Sequence, residues 1–351
     1  MPTLRTSGLF ILTLGIALVV LEAVLRFWFV TPRYKIPDPE LGLLNRPSVR
    51  VVWSDEGWAV NQVNSLGLMG PEPREPRAHP RVLLLGNSYT EALQVPRDES
   101  FAGISESLIP GSEFINAAHS NWSMAEELAL LRRLSPLLEP DVVVAQFSAK
   151  PPFGGASDAH LRAGENGDWQ LMPAPEKRSA LGRFKEMTDP FAQHSALLTM
   201  LLRKGSDLAR REQGRIRARF APEPTASGDQ ESEGALSLAR EADATAWLLD
   251  QMAAESREQL VVLVVPGIDY RKGVCAERRE VRARREMIHR VAIRQGVTIV
   301  DPSQAFCQYY LKTDQPLHGF QNVKMGSGHL NAQGHLILAR QLALAIQGAD
   351  E

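Results

Sequence analysis

The chain has 351 residues, 44% hydrophobic and 23% charged, which is ample apolar material for a sizeable core. A formal net charge of −2 offers no electrostatic footprint for nucleic acid. Two cysteines, Cys275 and Cys307, exclude a disulfide-dense scaffold and form no Cys-x-x-Cys pair. No internal repeat is present.

The N-terminus stands apart. Residues 9–21 are apolar except Thr13 and Gly15, and the run resumes through Phe27-Trp28-Phe29-Val30. Glu22 and Arg26 interrupt it four residues apart, where they can pair on one helix face. A helix over 9–30 is long enough to span a bilayer, with Trp28 and Tyr34 suited to the interface. A cleaved signal peptide is the rival. No small-x-small site follows the run, because Glu22-Ala23-Val24-Leu25-Arg26 comes next. Residues 1–34 are therefore expected to be a membrane anchor. Arg5 precedes the span while Arg26, Arg33 and Lys35 follow it, so the positive-inside rule does not favour export of the body.

Residues 35–80 read as a Pro-rich collar and linker. Prolines at 32, 37, 39, 47, 71, 73, 76 and 80 preclude long helices. A small hairpin is expected from 49–53 and 58–63, then a turn at 64–68 and a linker over 72–80. The main domain is expected over 81–349. It opens with Arg81-Val82-Leu83-Leu84-Leu85, a short apolar run typical of a buried parallel strand. Gly86 then permits a sharp turn, and Ser88 follows just past the strand end, where open α/β sheets bind ligands. Ser88 suits a nucleophile if a base reaches it, or a helix cap.

Further along, 98–109 has a helical apolar face, 113–117 reads as a strand, and Ser123-Met124-Ala125-Glu126 has capping-box spacing for a helix to about 138. Residues 142–147 read as a buried strand. Residues 150–234 interrupt the pattern and are expected to form a variable insertion over the carboxyl edge of the sheet. They include an apolar helix (195–202), a basic run (203–219) that suits a solvated face or anionic lipid, and a Pro/Ser/Gly-rich stretch (222–234). A helix (236–258), a strand (260–265), an Arg-rich helix (278–295), a strand (297–300) and an apolar helix (332–346) capped by Asn331 complete the alternation. The expected fold is a three-layer α/β parallel sheet with right-handed crossovers.

His329 lies in the loop before the last helix, on the same sheet edge as Ser88. A histidine there can take the serine proton during attack on an ester carbonyl. At this point the sequence resembles the SGNH (GDSL-type) hydrolases. Leu85-Gly86-Asn87-Ser88 is similar to their first block, Asn116-Ala117-Ala118-His119-Ser120-Asn121 to their second, and His329-Leu330-Asn331 with Gly334-His335 to their last. A membrane span, a Pro-rich collar and this domain together resemble bacterial membrane-anchored members. The resemblance implies a flavodoxin-like sheet in the order 2-1-3-4-5 and ester chemistry through an acyl-Ser88 intermediate with His329 as base. It implies no cofactor, and export of the body to a periplasmic or extracellular location. The implied substrates are acylated small molecules, lipids or glycans. An O-acyltransferase of the same site and a catalytically inactive binding domain are the alternatives.

Four positions depart from the family pattern. Asn87 replaces the Asp beside the nucleophile. Asn121 replaces a glycine whose N–H serves the oxyanion hole with that of Ser88; Asn tolerates the left-handed backbone this needs. No Asn falls near Ala149-Lys150-Pro151, which leaves Lys150 as the candidate donor; loss of one donor costs about 10²- to 10³-fold in rate. The triad-Asp position is Gly326, whose neighbourhood offers only a backbone carbonyl to His329. Asp269, Asp301 and Asp314 are candidate replacement carboxylates, each also suited to a turn or cap. Cys275 and Cys307 follow two adjacent strands, so a disulfide over the carboxyl edge is expected in an exported protein. His119 and His318 have weak claims, His335 is expected to be structural, and no His/Asp cluster has metal-ligand spacing.

Overall fold

The computed structural model describes residues 2–147, 160–164, 168–173, 187–220 and 229–348. The apolar N-terminal run forms one helix, α1 (Pro2–Trp28), and 23 of its residues, Thr6–Trp28, are long and apolar enough to cross a membrane. The prolines of the collar leave only short antiparallel pairs: β1 (Lys35–Asp38) with β2 (Gly42–Asn45), and β3 (Arg50–Trp53) with β4 (Ala59–Gln62). The domain proper then runs β5 (Arg81–Leu85), α2 (Ser88–Glu91), α3 (Phe101–Leu108), β6 (Glu113–Asn116), α4 (Met124–Leu138) and β7 (Val142–Phe147). Next come the hairpin β8 (His160–Ala163) and β9 (Trp169–Met172), then helices α5 (Ala196–Phe220) and α6 (Asp229–Ala254). The remainder is β10 (Gln259–Val264), the hairpin β11 (Ile268–Arg271) and β12 (Val274–Glu277), α7 (Arg279–Gln295), β13 (Thr298–Val300), α8 (Ser303–Thr313) and α9 (Ala332–Gln347).

The central sheet has five parallel strands in the order β13-β10-β7-β5-β6, which is 2-1-3-4-5 from the β6 edge. Successive side chains leave a strand on opposite faces, and the core divides accordingly. Leu83, Leu85, Val143, Ala145 and Val262 face a layer of α4, α6 and α7 through Leu128, Leu131, Leu248, Met252 and Ile288. Val82, Leu84, Val144, Val261 and Leu263 face α3, α8 and α9 through Phe101, Phe306, Leu338 and Leu342. Burial on both faces explains why these strands carry no polar alternation. The switch point between β5 and β7 puts the carboxyl end of β5 at the crevice where ligands bind in such sheets.

The insertion differs from its expected form. The apolar and basic halves of 195–219 are one helix, α5, which packs against α1 and the residues just after it through Leu25, Val30, Ala196 and Met200. The β8–β9 hairpin joins the α4 side of the core through Leu161 and Trp169. Glu22 of α1 caps α5: its carboxylate accepts from the Ala196 amide at 2.6 Å, the Leu197 amide at 3.0 Å and the Ser195 hydroxyl at 3.0 Å. It also pairs with Arg26 at 3.1 Å, the i,i+4 contact expected from the sequence. Cys275 on β12 and Cys307 on α8 are disulfide-bonded, with Cα atoms 5.5 Å apart.

Candidate active site

β5 delivers the chain to Gly86, and close approach makes glycine necessary there. A Cβ would lie 2.4 Å from Thr90 Oγ1 and 2.7 Å from Gln146 Oε1. Gln146 of β7 organises the turn. Its Oε1 accepts from the Asn87 amide at 3.2 Å and the Thr90 hydroxyl at 2.6 Å, and its Nε2 donates to Asn87 Oδ1 at 3.0 Å. The same Asn87 oxygen accepts from the Tyr89 amide at 3.2 Å and caps the turn of helix that starts at Ser88. The Asn87 amide therefore orders this turn. Gln146 gave no sequence signal beyond being the one polar residue of an apolar strand.

Ser88 Oγ lies 2.8 Å from His329 Nε2. The other ring nitrogen, Nδ1, is 2.5 Å from Glu56 Oε2, and the His329 amide donates to Glu56 Oε1 at 2.7 Å. This corrects the expectation at Gly326. The partner of the imidazole is a full carboxylate, and it comes from the β3–β4 turn of the collar, 273 residues away in sequence. Asn322 holds that turn, accepting from the Gly57 amide at 3.0 Å and donating to the Gly57 carbonyl at 2.9 Å and the Ser54 carbonyl at 3.2 Å. Gly328 (φ +93°) records the approach, because a Cβ there would lie 2.1 Å from Glu56 Oε1. Burial opposes the Glu56 charge, but the hydrogen bonds from the His329 ring and amide hold the carboxyl below its ordinary value. A charged Glu56 fixes the proton on Nδ1 and leaves the Nε2 lone pair facing the serine hydroxyl. Tyr89 walls the ring at 5.1 Å between centroids and donates its hydroxyl to the Gly328 carbonyl at 3.2 Å.

The second block forms the neighbouring turn. The Ala117 amide donates to the Leu84 carbonyl and the His119 amide to the Gly86 carbonyl, which ties the turn to β5. Asn121 sits at its exposed vertex with φ +72°, the left-handed conformation its sequence suggested. Glu91, fully buried, anchors the turn. It accepts from the Ser120 amide at 2.9 Å and from the Ser120 hydroxyl, and it pairs with Lys35 at 3.3 Å. Burial raises its carboxyl, yet Lys35, His119 and Ser120 together hold it below the ordinary 4.5. A depressed folded value stabilises the fold above the unfolded value, and that contribution is lost as pH falls through the depressed one. Glu91→Gln is expected to cost about 3 kcal/mol by leaving Lys35 without its partner. It should also flatten the acid limb of stability below pH 4.5, as urea melts at several pH values would read.

The remaining predicted residues separate clearly. Lys150, with Ala149 and Pro151, lies outside the described residues. Asp301 is engaged by Arg285 at 3.1 Å and His289 at 2.7 Å and accepts from the Ser303 amide. Asp269 pairs with Arg271, and Asp314 is a left-handed helix C-cap. None is the partner of His329, so these three carboxylates are corrected as replacements. His318, buried and pushed down to about 4 by desolvation, is bonded to the Tyr270 hydroxyl at 2.7 Å. His335, buried and pushed down to about 3, accepts from the Phe101 amide at 3.3 Å and stacks on its ring. His119, held down to about 4 by burial, stacks on Trp122. Among the described residues one His/Asp/Glu group is close enough to share an ion: His79, Asp141 and Glu258, before the amino ends of their strands. Asp141 is already engaged there by Arg77 and the Arg81 amide.

No protein-family model matches the sequence, and no curated protein matches it. Among solved structures, the chain is similar to LAE5, an alpha/beta hydrolase from the metagenome of Lake Arreo, at TM-score 0.43 and 14% identity over 78% of this chain and 97% of that one. It is similar to TesA at TM-score 0.40 and 13% identity, over 77% and 99%. It is similar to the lipase/acylhydrolase from Enterococcus faecalis at TM-score 0.41 and 12% identity, over 76% and 95%.

Proposed function

We propose that the chain is a serine ester hydrolase of SGNH type, held on a membrane by α1 with its body outside the cytoplasm. The observation that carries the reading is the continuous hydrogen-bonded series Ser88–His329–Glu56 at the carboxyl end of the central strand. Ser88 Oγ forms the bond to the acyl carbon while His329 Nε2 takes its proton. The acyl–oxygen bond to the alcohol then breaks, and His329 returns the proton to the leaving oxygen. Water, deprotonated by the same nitrogen, releases the acid and restores Ser88. Glu56 stabilises the imidazolium formed in each half. The amides of Ser88 and Asn121 are the proposed oxyanion donors, each worth about 10²- to 10³-fold, with Lys150 a third candidate. The reading of an inactive domain rested on the missing Asn near Lys150 and the missing Asp at 326; Glu56 offers His329 a carboxylate in place of the second, while Lys150 lies outside the described residues. The Cys275–Cys307 bond is in keeping with an oxidising compartment.

The test is labelling of the full chain by a fluorophosphonate, with hydrolysis of short acyl esters alongside. Wild type should label and turn over. Ser88→Ala should do neither while melting at the same temperature. An unlabelled wild type that cleaves no ester would sink the hydrolase reading.

A further inference from the structure

The collar does more than supply Glu56. The turn that carries it is fastened to the end of the apolar helix on both sides of the acid. Ser54 donates its hydroxyl to the Phe29 carbonyl at 2.6 Å, and Trp58 donates its indole N–H to the Trp28 carbonyl at 2.8 Å. Asn322 then binds the Ser54 carbonyl, so the loop leading to His329 is attached to the same point. Glu56, and through Asn322 the loop leading to His329, are thus tied to the end of α1.

The surface around that point is apolar and aromatic. Trp28 is 60% exposed, Phe29 50% and Trp58 52%, and on the attached loop Val323 is 58% and Met325 46% exposed. Lys324 stands between the last two, with a stem long enough to lie along apolar surface while its ammonium stays in water. The 23-residue stretch ending at Trp28 is about 34 Å long, slightly more than the ~30 Å hydrocarbon core. Its aromatic end therefore falls at an interface, where Trp rings collect. Trp58, Val323 and Met325 continue that band onto the catalytic domain. Arg203, the first residue of the basic run, sits over the Trp53 ring at 5.4 Å and pairs with Asp55, beside Glu56.

We infer that the mouth of the Ser88–His329–Glu56 site rests on the bilayer, and that its substrate is an acyl ester carried by a membrane phospholipid. The inference rests on the hydrolase reading above. Lipid ester carbonyls lie at the headgroup boundary, the depth of the Trp28–Trp58 band, so a site fastened there meets them at high local concentration. The reaction keeps the balance already given: the acyl–oxygen bond of the lipid breaks, water supplies hydroxyl to the acyl carbon, and the proton goes to the lysolipid oxygen.

Two measurements on the full chain in phosphatidylcholine/phosphatidylglycerol vesicles test it. The first is depth. A Val323→Cys variant labelled with an environment-sensitive dye should shift to the blue and be quenched by nitroxide lipids, whereas a label at Leu344→Cys on α9 should remain aqueous. The second is rate. Replacing Val323 and Met325 with Asp should reduce release of fatty acid from vesicle phospholipid at least tenfold and leave turnover of a soluble short-chain ester unchanged. An aqueous label at 323, or cleavage of the soluble ester with no fatty acid released from vesicles by the wild type, would overturn the inference and leave the hydrolase reading standing. Loss of fluorophosphonate labelling in the wild type strikes the hydrolase reading itself, whatever depth the label reports.

Discussion

Glu56→Gln is expected to lower kcat on a simple ester by about 10⁴-fold with little change in KM, the cost of losing the acid behind a catalytic histidine. Tautomer and charge both change. The glutamate accepts from Nδ1 at 2.5 Å and from the His329 amide at 2.7 Å. A glutamine can offer only one oxygen for these two donors. The amide nitrogen then faces one of them, and where it faces Nδ1 it donates, moving the ring proton to Nε2 and removing the lone pair that Ser88 needs. The neutral side chain also cannot stabilise the imidazolium that forms during attack. The variant should fold as the wild type does, because Asn322 holds the turn through Gly57 and Ser54 rather than through Glu56. Steady-state kinetics against a soluble ester check this. A kcat within tenfold of wild type would reduce Glu56 to a structural ligand of the loop.

That acid was invisible in the sequence for a physical reason. Local patterns identify what neighbouring residues decide: the apolar run before Gly86, the capping spacing at Ser123 and Glu126, the left-handed tolerance of Asn121. Each of these stands in the structure where its neighbours put it. The parallel sheet followed from alternating strands and helices, and its order 2-1-3-4-5 was implied by the family resemblance alone. Glu56 and Gln146 act across chain separations of 273 and 59 residues, and the position of one partner says nothing of the other. Gly328 was the available hint. A glycine directly before the histidine signals a close approach or a positive φ, and the atom approaching is the Glu56 carboxylate. The carboxylate comes from the collar, on the far side of the sequence from His329.

Arg81→Met is expected to destabilise the fold by about 3–5 kcal/mol, as breaking a buried ion pair does, and to lower Tm by about 10 °C or more. In the sequence Arg81 is simply the residue before an apolar strand. In the structure its side chain is 4% exposed and each of its three nitrogens donates a hydrogen bond. Nε donates to Glu113 Oε2 at 2.7 Å, Nη1 to the Leu138 carbonyl at 3.0 Å and Nη2 to the Arg74 carbonyl at 3.0 Å. The guanidinium thereby joins β6, the end of α4 and the linker at the amino edge of the sheet. Methionine fills much of the volume but leaves Glu113 charged, buried at 6% side-chain exposure and without its arginine. Two carbonyls lose their donor as well. Replacing Glu113 with Met in the same chain removes the stranded charge and should recover a large part of the loss, since apolar replacement of a whole buried pair is often neutral. Thermal melts of the single and double variants read both effects; a single variant that melts with the wild type would show that this pair does not hold the edge together. Ester turnover at low temperature should be unchanged in either, because Arg81 opens β5 and Ser88 lies beyond its other end.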